Sequence, residues 1–210
     1  DTEYFMWLAD DDEITPDYLT ELVGLLDNDP SAVTAMGQLM SMQSPDEGYI
    51  SPQLRPDSPS RLGRLMRFVG GTADDSAFYG LHRTPCLRRG RFCGYLPPNR
   101  GVLTNWCYLF LFDLLLQGRF VYSDKAAWIC HNYSEKHYER ALARGATDKV
   151  KTLLRRINVY AIYIGKTAHA APLCVPAILV ASAVGLTRDV TCALSRMINI
   201  THISKGLKLK

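Results

Sequence analysis

The residues best able to do chemistry lie near the start of the chain, where the apolar run Tyr4-Phe5-Met6-Trp7-Leu8 ends in Asp10, Asp11, Asp12 and Glu13. An apolar run of this kind is expected to be a buried strand. Carboxylates clustered where such a strand emerges repel one another and are costly unless something positive neutralises them. A hard divalent cation does so, because it takes oxygen ligands and in turn grips phosphate. In open α/β sheets ligands gather past the carboxyl ends of strands, where this cluster is expected. The competing interpretation is an acidic surface turn that favours the helix behind it. A calcium loop of the EF-hand kind does not fit, since Thr15 and Pro16 stand where its sharp turn needs glycine.

The elements that must position this cluster follow from patterning. Thr15 as N-cap, Pro16 at the first helical position and Asp17 at the positive end of the dipole predict a helix over residues 16–26, ended by Asp27-Asn28-Asp29-Pro30. Residues 33–39 are apolar enough for a second strand, and 44–60, rich in Pro, Ser and Asp, predict a long loop. Ser60 caps a helix with Leu62, Leu65, Met66 and Val69 on one face and Arg61, Arg64 and Arg67 on the other. That arginine row is either a solvated face or a contact for a diphosphate or anionic lipid, since Arg forks onto phosphate oxygens. A Gly-rich loop over 70–75 precedes an expected strand containing Phe78 and Tyr79, and a second long loop covers 88–103. Residues 106–117 form a helix that is apolar all round, closed by Gly118 and too short to cross a bilayer, so it is expected at the centre of the core. Asp113 is its one carboxylate. Two strand-like segments, 120–123 and 126–130, end at His131.

Three stretches together resemble family 2 glycosyltransferases of the GT-A type. They are Trp7-Leu8-Ala9-Asp10-Asp11-Asp12 with Pro16-Asp17-Tyr18-Leu19, then Phe78-Tyr79-Gly80-Leu81-His82-Arg83-Thr84-Pro85-Cys86-Leu87, then Leu116-Gln117-Gly118-Arg119-Phe120-Val121-Tyr122. The resemblance spans residues 4 to about 131. It implies an α/β, Rossmann-like GT-A sheet, N-terminally truncated, with an α-helical C-terminal appendage; the expected boundary divides 1–133 from 134–210. It implies metal-assisted, inverting transfer of a sugar from a nucleotide-diphosphate sugar to a polysaccharide or lipid-linked acceptor, with Mg2+ or Mn2+ as cofactor. Asp10 and Asp12 form the Asp-x-Asp element most simply, whereas the distance to Pro16 aligns the metal-facing pair with Asp11 and Asp12 and puts Ala9 at the first acidic position. Asp10, Gly80, Arg83 and His131 are the expected substrate-binding residues. The family's general base falls nearest Asn105, which cannot take a proton, so Asp113 is ranked first as its substitute and Asp75 second. If neither serves, the chain is a catalytically impaired remnant or a non-enzymatic interaction subunit with the same fold.

Composition sets the remaining bounds. With 210 residues, 47% of them hydrophobic, the chain can bury a sizeable core. A net charge of +3, with no basic block interleaved with aromatics, does not point to nucleic acid. Six cysteines without a Cys-x-x-Cys pair indicate neither a zinc site nor a redox motif. Three of these, Cys107, Cys174 and Cys192, lie in apolar helical patterns and suit a reducing, cytoplasmic compartment. Beyond Ser134 a polar helix over 135–144 leads to Lys149, Lys151, Arg155 and Arg156, and then to an apolar tract over 168–186 interrupted by Pro172 and Pro176. With basic flanks, this tract is expected either to sit peripherally at the inner face of the cell membrane or to fold as a packed helical hairpin.

Overall fold

The computed structural model describes residues 2–71, 74–90, 106–131 and 146–206. It is an α/β protein with a mixed sheet. The strands are β1 (Tyr4–Phe5), β2 (Glu13–Ile14), β3 (Ala32–Ser44), β4 (Glu47–Ser51), β5 (Leu81–Arg83) and β6 (Arg119–His131), and they pair in the order β1-β5-β3-β6-β2, with β4 on β3. Only β3 and β6 pair in parallel among the described strands, from Ala32 opposite Arg119 to Met42 opposite His131. The helices are α1 (Tyr18–Asn28), α2 (Arg61–Gly70), α3 (Thr84–Arg89), α4 (Trp106–Gln117), α5 (Ala146–Ala170) and α6 (Val175–Gly206).

Side chains alternate across β3 and β6, so two cores form on opposite faces of the sheet. Tyr18, Leu22 and Leu26 of α1 pack with Met36 and Val121 in one. In the other, Val33 and Phe120 meet α2, α4, α5 and α6. As its composition requires, α4 lies at the centre of that second core, with Leu109, Phe110, Leu111, Phe112, Leu114 and Leu115 all buried. Phe112 stacks on Tyr163 of α5, with ring centroids 4.3 Å apart. The C-terminal helices therefore share a core with the sheet. Arg188 of α6 fastens them further by donating to the carbonyls of Gly70 and Gly71, which end α2. Gly185 allows this approach, since a Cβ there would lie 2.9 Å from the Val69 carbonyl and 2.4 Å from the Tyr160 hydroxyl.

Several expectations are corrected. Only Tyr4 and Phe5 of the opening run pair as strand; Trp7 leaves the sheet and stacks on Phe78 at 4.5 Å, edge-on to Phe110. Thr15 does not cap α1. Its hydroxyl instead accepts from the Ala127 amide, and the helix begins at Tyr18. Residues 44–60 are not all loop, because β4 folds back on β3 through the turn at Pro45 and Asp46. Phe78 and Tyr79 form a 3-10 turn (Ser76–Tyr79), and the strand is Leu81–Arg83. The two expected strand segments beyond Gly118 are one strand, whose register against β3 breaks between Tyr122 and Ala127. Ser60 does cap α2, accepting from the Gly63 amide at 3.0 Å. The expected helix over 135–144 and the boundary at 133 lie outside the described residues.

His82 is fully buried in β5. Its Nε2 lies 3.0 Å from the Phe78 carbonyl, which can only accept, so Nε2 carries the proton and Nδ1 accepts from the Thr34 hydroxyl at 2.9 Å. Burial pulls its pKa from the ordinary 6.5 to about 4. Between those values the unfolded chain binds the extra proton, so stability falls as pH drops from about 6.5 to about 4, by roughly 3 kcal/mol. Urea melts across that window should show this slope, and His82→Gln should flatten it.

Candidate functional site

The site is built at the carboxyl end of the β3–β6 pair. Strand β2 runs antiparallel to β6, with Ile14 opposite Trp128 and Glu13 opposite Ile129. Stepping back from Glu13 therefore leads past the end of β6, and the acidic turn Asp10–Asp12 lies there. The turn closes through the Asp12 amide on the Ala9 carbonyl at 3.3 Å. It is fixed to the sheet by the Trp128 indole, whose Nε1 donates to Asp12 Oδ2 at 3.0 Å. The Trp128 ring also stacks on Tyr79 at 4.3 Å. Burial raises the Tyr79 phenol pKa, and the nearby carboxylates of Asp12 and Asp75 raise it further. The Cys107 thiol, in the first turn of α4, donates to Asp75 Oδ2 at 3.0 Å. At the end of β6, His131 Nε2 lies 3.2 Å from Glu13 Oε1.

Asp12, Asp75 and His131 are thus brought to one end of the sheet. Asp113 is not. Helix α4 runs back from Cys107, beside Asp75, to Gly118 and Arg119 at the amino end of β6. At a rise of about 1.5 Å per residue, Asp113 is carried roughly 9 Å down that axis. There its Oδ1 accepts from Lys166 of α5 at 2.6 Å. As general base Asp113 would have to reach the strand ends carrying Asp11 and His131, and its Oδ1 lies on Lys166 instead. Arg83 also lies at the amino end, where its guanidinium donates to the carbonyls of Ala32 at 2.9 Å and Leu26 at 2.5 Å. Gly80 stands beside Tyr79, and its missing side chain makes room for the Ala35 carbonyl, 2.6 Å from where a Cβ would be. Asn105 lies outside the described residues.

Asp10 and Asp11 are exposed, and among the described residues no three His, Cys, Asp or Glu side chains converge on one point. The acidic turn offers carboxylate oxygens alone, a donor set that suits Mg2+ or Mn2+ rather than a soft metal. Sequence reasoning missed Tyr79, Cys107 and Trp128 as parts of this site. Trp128 and Asp12 are 116 residues apart, and no spacing or periodicity links them. No family model matches the chain, and no curated protein matches it either.

Burial, and then the Asp75 carboxylate, push the Cys107 thiol up to about 12. Alkylation at pH 8, followed residue by residue by mass spectrometry, should therefore find Cys107 far slower than an exposed thiol. Asp75→Asn should speed its labelling several-fold without making it fast, since burial remains. An unchanged rate would mean that Asp75 does not face Cys107.

Proposed function

We propose that this chain is a glycosyltransferase of the GT-A type, moving a sugar from a nucleotide-diphosphate sugar to a glycan or lipid-linked acceptor with inversion. The observation that carries this reading is the clamp of Asp12 by Trp128, which sets an acidic turn past the carboxyl end of a parallel strand pair. Asp10, Asp11 and Asp12 would hold Mg2+ or Mn2+, which supplies positive charge for the departing diphosphate. The stacked rings of Trp128 and Tyr79 form a rigid wall beside the turn. His131, at the end of β6 and now 3.2 Å from Glu13 Oε1, would donate to a phosphate oxygen. Asp75, near the same tyrosine as Asp12, takes the proton of the acceptor hydroxyl as that oxygen bonds to the anomeric carbon. This assignment exchanges the sequence ranking of Asp113 and Asp75.

The first test is binding of Mn2+ to the full chain, read by electron paramagnetic resonance. Asp12→Asn and Trp128→Phe should each weaken it about tenfold or more, the scale of one lost charged contact. Equal affinity in wild type and both variants would sink the site. Transfer is read as release of nucleoside diphosphate from a panel of donors with added Mn2+. Asp75→Asn should lower it about a hundredfold or more while Mn2+ binding persists, and Asp113→Asn should leave the rate near that of wild type. Loss in Asp113→Asn alone, with the fold intact, would restore the original ranking. Metal binding without transfer from any donor would favour the impaired remnant.

The same reading places the chain at the cytoplasmic face of a membrane. Residues Pro172–Thr191 are long and apolar enough to cross a bilayer by length and composition, with a mean hydropathy of 1.6. Ile178, Ala181, Ser182 and Gly185 turn inward, while Leu179, Val180 and Val184 are exposed on the other side of α6. Leu173, at the turn before α6, is 96% exposed. Flotation with vesicles containing anionic lipid should carry the wild-type chain upward, and Val180→Glu with Val184→Glu should leave it at the bottom. Equal flotation of both would remove this face from the account.

A further inference from the structure

The amino end of the β3–β6 pair holds a cavity of about 780 Å³. Its lining carries Arg64, Arg83, Arg89, Arg119, Lys166 and His169 against a single carboxylate, Asp113, which Lys166 already contacts at 2.6 Å. The positive excess is built in by how the arginines are held. Arg64 is only 6% exposed, so the solvated helix face allowed by its row of arginines does not describe it. It donates from Nε to the Leu115 carbonyl at 2.7 Å and from Nη1 to the Pro59 carbonyl at 3.3 Å. Arg83 is bound to the carbonyls of Ala32 and Leu26, and Arg89 donates to the carbonyl of Pro85 at 3.2 Å. Carbonyl partners satisfy hydrogen bonds and orient the guanidinium forks without neutralising their charge. Burial lowers the Arg64 pKa, and the charges of Arg61 and then Arg119 lower it further. Two of them have a carboxylate neighbour outside the lining: Arg119 has Asp29 at 3.3 Å from Nε, and Arg83 has the exposed Glu3 at 3.8 Å from Nη1.

Like charges held together in a partly desolvated cavity are costly without a counter-anion. Forked guanidinium groups match the oxygens of a phosphate in geometry as well as in charge. The volume exceeds that of a bare phosphate and falls within the range of small-molecule pockets. Ala170, which lines the cavity, ends α5 and lies three residues from the exposed Leu173, so the cavity wall continues into the apolar turn.

We infer that this cavity binds a phosphomonoester or diphosphate group, carried by a soluble molecule or by a lipid headgroup, with Arg64 at its floor and Arg89 and Arg119 reaching the anion. The site is at the opposite end of the sheet from the acidic turn and does not depend on sugar transfer. Its ligand needs no divalent cation, because the protein supplies the positive charge.

The test is calorimetric titration of the full chain with inorganic pyrophosphate in the presence of EDTA, alongside flotation with phosphatidate-containing and pure phosphatidylcholine vesicles. Saturable pyrophosphate binding is expected, or selective flotation with phosphatidate; the first identifies a soluble ligand and the second a headgroup. Arg89→Gln, at an exposed position, and Arg119→Gln should each weaken whichever binding occurs about tenfold. Arg119→Lys should fall between, keeping the charge and losing the fork. Circular dichroism melts confirm that each variant is folded. Asp12→Asn should bind like wild type, and loss of binding there would place the anion at the acidic turn and overturn the inference. It is equally overturned if neither probe binds, or if folded Arg89→Gln and Arg119→Gln bind as wild type does.

Discussion

The parallel pairing of β3 with β6 is the constraint on which the rest of the structure depends. Parallel neighbours cannot be joined by a tight turn, so the chain must return along the outside of the sheet between them. Helix α4 makes the final leg of that return, and a helix lying between a sheet and further helices must be apolar on every side. The buried run from Leu109 to Leu115 meets that demand. Because α4 is covered, α2, α5 and α6 have a surface to pack on, and Phe68, Tyr163 and Ile178 complete the core around it.

The same constraint divides the molecule into two chemically opposite ends. At the carboxyl end the loops bring in carboxylates: Asp12 through β2 and its bond to Trp128, and Asp75 through the start of α4. At the amino end, α2, α3 and the strands β5 and β6 bring in arginines, and backbone carbonyls such as Leu115 near the end of α4 and Leu26 near the end of α1 absorb the guanidinium groups of Arg64 and Arg83. Carbonyls at helix carboxyl termini lack intrahelical donors and carry partial negative charge, so they accept cations readily. The arginines are therefore held in place by the helix packing itself.

Much of this was legible in the sequence where one local rule sufficed. Helix α4 was marked by composition, α2 by its Ser60 cap, and α1 by Pro16 and Asp17 within a turn of its true start, with Leu22 and Leu26 on its buried face. The acidic turn was visible as a cluster. What stayed hidden depended on partners far away in the chain. Strand β4 carries Tyr49 and Ile50 on an exposed hairpin, so no apolar alternation announced it. Arg64 belongs by spacing to an outer row with Arg61 and Arg67, and the carbonyl of Leu115, 51 residues on, draws it inward together with that of Pro59. Asp113 was correctly singled out as a carboxylate in an apolar helix. Its end of the sheet could not be read, because that depends on the direction in which α4 crosses β3 and β6.

The two ends are also electrically separate. Between Ala32 and Met42, the paired length of β3, the sheet extends roughly 30 Å at about 3.3 Å per residue. Charges in contact with solvent are screened over about 8 Å at physiological ionic strength. The carboxylates at one end therefore do little to neutralise the arginines at the other, and each must find its counter-charge locally. Asp113 and Asp29 do this for part of the basic end, through Lys166 and Arg119. The remaining guanidinium charge there, and the carboxylate charge at the acidic turn, are two independent demands for ligands of opposite sign. A cation satisfying the acidic turn leaves the basic cavity as electropositive as before, so occupancy of one end neither requires nor excludes occupancy of the other.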